Sequence, residues 1–159
     1  GLDQSAARLG MGQDNAARLG IGGIRWVAGD GRQSPLRGTF DRVLVDAPCS
    51  GLGTLRRHPD LKWRLQPEAI GRLALQQADL LRAAMGHCKI GGVVVYAVCT
   101  VTPQETTAIA EAVFFFFSAT AEDGPDWLST WQLETGQYRT LPTNGGWDGF
   151  FLTRLRRQS

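Results

Sequence analysis

Cysteine and histidine are scarce in this chain of 159 residues: it has three of the first and two of the second. Cys49, Cys88 and Cys99 form no Cys-x-x-Cys pair, and neither His58 nor His87 stands at a zinc-ligand spacing, so no metal site is expected. An odd number of cysteines without a secretory leader also argues against a disulfide framework. No apolar run reaches transmembrane length, and no charged start precedes an apolar signal core. No membrane partner is therefore expected, and the cytoplasm is the expected location. The net charge is only +2, too little for the whole surface to attract nucleic acid, so any such partner must rest on local clusters. There is no internal repeat, no low-complexity linker and no sign of a second domain. Residues 1–159 read as one domain with its own core.

What is present is an alternation of helical and strand patterns. Gly1-Leu2-Asp3 reads as the last residues of a strand that has been cut. Residues 4–19 have helical spacing, with Leu9, Ala16 and Leu19 on one face, and Gly20 suits the position just past the end. Gly10 and Gly12 weaken that helix by about 1 kcal/mol each relative to alanine. Residues 24–28 read as a short strand closing at Gly29-Asp30-Gly31. Residues 40–45 form a second strand, apolar enough for burial on both faces. Residues 50–65 read as a long basic loop. Pro67 then opens a helix carried by Ile70, Leu73, Ala74, Leu80, Leu81 and Ala84. Lys89-Ile90-Gly91-Gly92 turns the chain into a strand over 93–97. Thr102-Pro103-Gln104-Glu105 has the spacing of a capping box and is expected to open a helix reaching Phe117. The four phenylalanines at 114–117 cannot share one helix face. Residues 119–136 read as a loop with a short strand near Trp131, 144–148 as a turn, and 150–155 as the last strand. This order predicts an α/β fold: a mostly parallel sheet covered by helices, with an antiparallel C-terminal edge.

Two of the cysteines fall just past buried-looking strands. In open α/β sheets, ligands bind outside the carboxyl ends of the strands. Asp46-Ala47-Pro48-Cys49 ends the strand over 40–45, and Pro48 holds Ala47 in extended backbone. Asp46 either meets the polar edge of a heterocycle or caps the following loop. Cys99 lies on a strand-to-helix crossover, where the positive end of the next helix would lower a thiol pKa. Cys88 reads as a small buried hydrophobe. The basic loop sets Arg56, Arg57, Lys62 and Arg64 against one acid, Asp60, and Arg154, Arg156 and Arg157 form a basic tail without an acid. These clusters suit phosphates, with Trp63 stacking on a base. They equally suit a solvated face with Trp63 in the core.

Asp46-Ala47-Pro48-Cys49-Ser50-Gly51 and Tyr96-Ala97-Val98-Cys99-Thr100 resemble the two cysteine motifs of the RNA cytosine-5 methyltransferases of the Sun (Fmu, Nol1/Nop2/Sun) family. Arg56-Arg57-His58-Pro59-Asp60-Leu61-Lys62-Trp63 resembles the loop after the first motif in the bacterial branch that acts on small-subunit ribosomal RNA. Asp148-Gly149-Phe150-Phe151 resembles the family's closing strand, and Asn15-Ala16-Ala17-Arg18-Leu19-Gly20 and Gly29-Asp30-Gly31-Arg32 match earlier segments. The resemblance implies a Rossmann-like, S-adenosylmethionine-dependent sheet and methyl transfer to carbon 5 of a cytosine in RNA through a covalent cysteine adduct. By position it implies Cys99 as the attacking thiol, Cys49 as the cysteine of proton removal and adduct release, and Asp46 as the carboxylate on the cytosine edge. It implies Asp3, Asp30 and Asp46 at the methyl donor. RNA contacts would come from Arg56, Arg57, His58, Lys62, Trp63 and Arg64.

The family's glycine-rich loop has no counterpart in the chain, because Gly20-Ile21-Gly22-Gly23 ends a helix rather than opening one after a strand. The expectation is therefore the C-terminal part of a catalytic domain, without the first strand, its helix or an N-terminal RNA-binding domain, and inactive by itself. In the family's sheet order the missing strands lie between those over 24–28 and 40–45. These two are expected either to become neighbours, or to leave an apolar edge that pairs between chains; a bare edge contradicts this. Thr100 stands where the family has serine, and Thr106 where asparagine is common. Two other readings remain. One is a non-enzymatic RNA-binding module using loop 50–65 and the basic tail. The other is a DNA cytosine methyltransferase, against which the second motif at Cys99 argues.

Overall fold

The computed structural model describes residues 1–142 and 146–159, and of Phe115 the backbone alone. The expected turn at 144–148 falls partly outside them. The chain divides into two compact units, residues 1–38 and 39–159.

In the first unit, β1 (Leu2–Asp3) leads through α1 (Ala6–Arg18) to β2 (Val27–Ala28). Ser5 caps α1 by accepting the Arg8 N–H, and Gly20 takes φ +68° just past its end, a conformation that suits glycine. A Cβ on Gly12 would lie 2.7 Å from the Trp26 ring. The glycine that weakens the helix thus makes room for the tryptophan that packs on it. β1 and β2 pair in parallel, Leu2 with Val27 and Asp3 with Ala28. The strand expected over 24–28 is only two residues long because its partner is no longer than that.

The second unit holds β3 (Phe40–Asp46), α2 (Leu61–Arg64), α3 (Pro67–His87), β4 (Cys88–Val98), α4 (Thr107–Phe117), β5 (Ala119–Ala121), β6 (Gln132–Glu134), β7 (Gln137–Thr140) and β8 (Phe150–Arg157). Its sheet runs β3-β4-β8-β7-β6, with β5 also on β8. Only β3 and β4 are parallel. The antiparallel part is larger than expected, since β5 and β7 are short and carry no alternating apolar pattern. Leu81 and Met85 of α3 and Ile109 and Val113 of α4 cover Val94, Tyr96, Val98, Phe151 and Leu155. Each such fully buried side chain contributes about 1.5–3 kcal/mol. Cys88 is fully buried in this core, as a small hydrophobe.

Several expectations need correction. β3 is not buried on both faces: Leu44 is 71% exposed. Nor does β2 become its neighbour, for β2 pairs with β1, and β3 pairs on one side only, with β4, among the described residues. The turn at 89–92 is absorbed into β4 as an irregularity, so that Cys88 to Val93 span the step from Phe40 to Arg42. Thr102 and Glu105 make no capping box. Residues 103–105 form a single 3-10 turn, Thr106 breaks it with φ −121° and ψ −98°, and α4 starts after the break. The Thr102 hydroxyl donates to the Glu105 carboxylate at 2.8 Å instead of capping the backbone. Of the phenylalanine run, Phe114 and Phe117 pack against the core, while Phe116 is 66% exposed with the Arg82 guanidinium 5.7 Å from its ring centre.

What matters for the site is where the two parallel strands stop. Asp46 pairs with Ala97, and the Ala47 N–H donates to the Ala97 carbonyl at 3.1 Å, so both strands end at one level. Three loops are then sewn together by backbone. The Gly53 N–H donates to the Cys99 carbonyl at 3.1 Å, and the Gly149 N–H to the Gly53 carbonyl at 2.7 Å. A Cβ on Gly53 would sit 1.9 Å from the Gly149 oxygen. Gly53→Ala must therefore push the 148–149 segment away. A loss of about 3 kcal/mol is expected, seen as a thermal midpoint lowered by about 10 °C in calorimetry. An unchanged midpoint would contradict this packing.

Candidate active site

The level strand ends place Cys49, three residues past Asp46, against Cys99, the first residue past β4. Their sulfurs are 3.4 Å apart, and both thiols are free and partly buried. Two sulfurs this close share one hydrogen, and the surroundings decide which keeps it. The Cys49 hydrogen bond lowers the Cys99 pKa to about 7; burial and the nearby Asp46 charge oppose this, while the Cys99 backbone N–H and Arg57 assist it. Cys49 moves the other way, pushed far above an ordinary thiol by its bond to Cys99 and by burial. Cys99 is thus the sulfur that ionises first, with Cys49 as the S–H donor to it. The sequence pointed to a helix end as the cause; the structure puts Cys49 in that role.

Asp46 is exposed, and its carboxylate makes no hydrogen bond or ion pair among the described residues. It caps nothing. It stands as a free acceptor beside the thiolate. Arg57 donates from Nε to Asp148 at 2.6 Å, which fastens the basic loop to the 148–149 segment.

The basic loop is well exposed. Trp63 is 78% exposed, which excludes a core role, and Lys62 Nζ lies 4.9 Å from its ring centre. His58 is exposed as well. Arg64 pairs with Asp60 at 3.0 Å, and Arg56 donates to the Gly146 carbonyl. The basic tail is a different matter. It lies in β8, where Arg154 and Arg156 both pair with Glu122, Arg156 at 2.6 Å. Arg157 donates to the Met85 and Cys88 carbonyls at the end of α3, at 2.7 and 2.8 Å, where a cation is favoured. The expectation of a tail without an acid overlooked Glu122, which is distant in sequence.

Asp3 and Asp30 belong to the first unit and stand together there, at the carboxyl ends of β1 and β2. The Gly29 N–H donates to the Asp3 carbonyl at 3.0 Å. The Asp3 carboxylate accepts the Ser5 N–H and the Arg8 guanidinium, which lower its pKa. Asp30 accepts the Arg32 guanidinium and N–H, which hold its pKa at about 2.

Sequence reasoning missed Glu105 and Gln77, both fully buried next to the cysteine turns. The only signal was the spacing in Thr102-Pro103-Gln104-Glu105, which a capping box explains equally well. Among the described residues no group of histidine, cysteine and carboxylate side chains could hold a metal ion, and no helix is long and apolar enough to cross a membrane.

The family described as 16S rRNA methyltransferase RsmB/F matches residues 1–156. The chain is similar to ribosomal RNA small subunit methyltransferase B of Klebsiella pneumoniae, 39% identical over 157 residues, covering 97% of this chain and 35% of that protein. It thus spans about a third of the length of such curated relatives. Among solved structures it resembles NSun6 from Pyrococcus horikoshii with SFG, at 28% identity and a TM-score of 0.87, covering 99% of this chain and 41% of that one. A methyltransferase homologue from the same organism, 23% identical with a TM-score of 0.78, covers 98% of this chain and 52% of that one and shares the fold. The fold is the Rossmann-like α/β fold of methyltransferases.

Only a thiolate alkylates readily, so a Cys99 pKa near 7 keeps the residue reactive at neutral pH. Iodoacetamide labelling of Cys99, followed by peptide mass spectrometry, is expected to rise through an inflection near pH 7. Cys49→Ala removes the donor and should move that inflection up towards about 8.5, the value of an ordinary thiol. An inflection that stays in place would contradict the pairing.

Proposed function

We infer that this chain, which belongs to the 16S rRNA methyltransferase RsmB/F family, carries the site at which a cytosine of small-subunit ribosomal RNA is methylated on carbon 5. The observation that carries this reading is the 3.4 Å contact between Cys49 and Cys99, with the Cys99 charge beside an unpartnered Asp46.

Carbon 5 of cytosine is a poor nucleophile. A target base must first leave its stack. Cys99 then adds its sulfur to carbon 6, and the electron pair of the ring double bond is released towards carbon 5. One hard step becomes two easier ones. The amino group of cytosine is a hydrogen-bond donor, and Asp46 is the free acceptor that holds that edge. Once Cys99 is bonded to carbon its charge is gone. Cys49 then loses the neighbour that keeps it protonated. With the methyl group in place on carbon 5, Cys49 gives its proton to water and takes the carbon 5 proton; the electrons of that C–H bond restore the ring double bond, and Cys99 leaves with the electrons of its bond to carbon 6.

S-adenosylmethionine supplies the methyl group. Asp3 and Asp30 would hold it, as acids at the carboxyl ends of parallel strands suit ribose hydroxyls and the adenine. Their present partners, Arg8 and Arg32, are exposed. Such pairs are weak and readily exchanged. Arg56, Arg57, His58, Lys62, Trp63 and Arg64 form the RNA contact. The exposed Trp63 with its neighbouring cation supports stacking on a base. The same loop would serve a non-enzymatic RNA-binding module, which the paired cysteines do not favour. The cytoplasm is the proposed location.

RNA carrying 5-azacytosine tests the reading, since attack at carbon 6 leaves a protein–RNA adduct that survives denaturing electrophoresis. The chain is expected to form it, Cys99→Ala to abolish it, and Cys49→Ala to retain it. An adduct that forms equally well with Cys99→Ala would overturn the assignment.

A further inference from the structure

We propose that Glu105 is a positioning residue, whose buried carboxylate clamps the two cysteine turns together and thereby sets the spacing of Cys49 and Cys99. This rests on the reading of Cys99 as nucleophile. It concerns a residue that touches neither sulfur.

Glu105 is fully buried, yet it is surrounded by donors. Its Oε1 accepts the Ser50 N–H at 2.8 Å and Gln77 Nε2 at 3.0 Å. Its Oε2 accepts the Ser50 hydroxyl at 2.5 Å and the Thr102 hydroxyl at 2.8 Å, with the Thr100 hydroxyl at 3.1 Å. Ser50 directly follows Cys49, and Thr100 directly follows Cys99. One carboxylate therefore grips the residue next to each sulfur. The two hydroxyls also meet each other at 2.8 Å, and since Ser50 gives its proton to Glu105, the one Thr100 hydrogen is divided between the Ser50 oxygen and Glu105 Oε2. Gln77 extends the clamp to α3 by donating to the Pro48 carbonyl at 2.8 Å, one residue before Cys49. Tyr96 closes the far side, its hydroxyl donating to the Glu105 backbone carbonyl at 2.7 Å.

Burial works against a charge on Glu105, but the bonds from Ser50, Thr102 and Gln77 outweigh it and hold its pKa below the usual carboxylate value. The group is thus an anion, and hydrogen bonds to an ionised acceptor are shorter and about twice as strong as neutral ones. A neutral amide at this position presents an N–H₂ where a hydroxyl also donates. The tie to Ser50 or Thr100 then slackens, the sulfurs separate, and Cys49 no longer stabilises the Cys99 thiolate. The Thr106 backbone, bent away from helical angles, is consistent with a segment shaped to deliver Glu105 to the cysteines rather than to begin α4.

The test is the pH profile of Cys99 alkylation by iodoacetamide, read by peptide mass spectrometry well below each variant's unfolding temperature. It uses neither RNA nor a methyl donor, so it can fail while the RNA reading stands, and the reverse. Glu105→Gln is expected to raise the Cys99 inflection by more than one pH unit, and Ser50→Ala to raise it by a smaller amount. Leu155→Ala, in the core where β8 pairs with Val94, five residues up β4 from Cys99, is expected to lower the thermal midpoint and leave the inflection where it is. If Glu105→Gln does not fold, the Ser50→Ala inflection decides alone. An unchanged inflection in the clamp variants, or an equal shift in Leu155→Ala, overturns the proposal.

Discussion

The parallel pairing of β3 with β4, in a register that sets Asp46 opposite Ala97, brings two chain segments about fifty residues apart to the same level. Every other feature of the site follows from that. The turns leaving these strands have nowhere to go but alongside one another, so Cys49 meets Cys99 and Ser50 meets Thr100. A slip of one residue would turn every β3 side chain to the other face and separate the pair. The apolar core beneath, with α3 and α4 packed on β4 and β8, makes such a slip costly.

On this frame the charges are arranged in order. Asp46 is free and faces outward. Cys99 carries the labile charge. Cys49 supplies the hydrogen that steadies it. Arg57 lends a positive field while bound to Asp148. Below them Glu105 is a fixed anion that takes no part in the exchange of the sulfur proton. The arrangement separates a charge that must react from one that must stay. Burial alone would favour neither, and donors supply the difference in both cases: one S–H for Cys99, several N–H and O–H groups for Glu105.

Much of this was legible in the sequence, for identifiable reasons. Strand ends with cysteines are local patterns, and Asp46-Ala47-Pro48-Cys49 and Tyr96-Ala97-Val98-Cys99 gave both turns without knowledge of the partner strand. Pro67 at the head of α3 and Gly20 behind α1 were equally local. What was missed depended on distant contacts. Glu105 looked like a cap because its true partners, Ser50 and Gln77, lie 55 and 28 residues away. The arginines of β8 looked free because Glu122 approaches only when β5 pairs with β8. β3 looked doubly buried because its composition is that of a central strand, whereas among the described residues it has one strand partner, and Leu44 stays open to solvent.

The account turns on a division of labour between two sulfurs that touch. The most direct measurement is the identity of the residue bonded to carbon 6 of the base. Protease and nuclease digestion of the adduct with 5-azacytosine RNA, followed by fragmentation mass spectrometry, reads it. The account predicts that the modified residue is Cys99, both in the parent chain and in Cys49→Ala. A ring attached to Cys49 in the parent chain would contradict it.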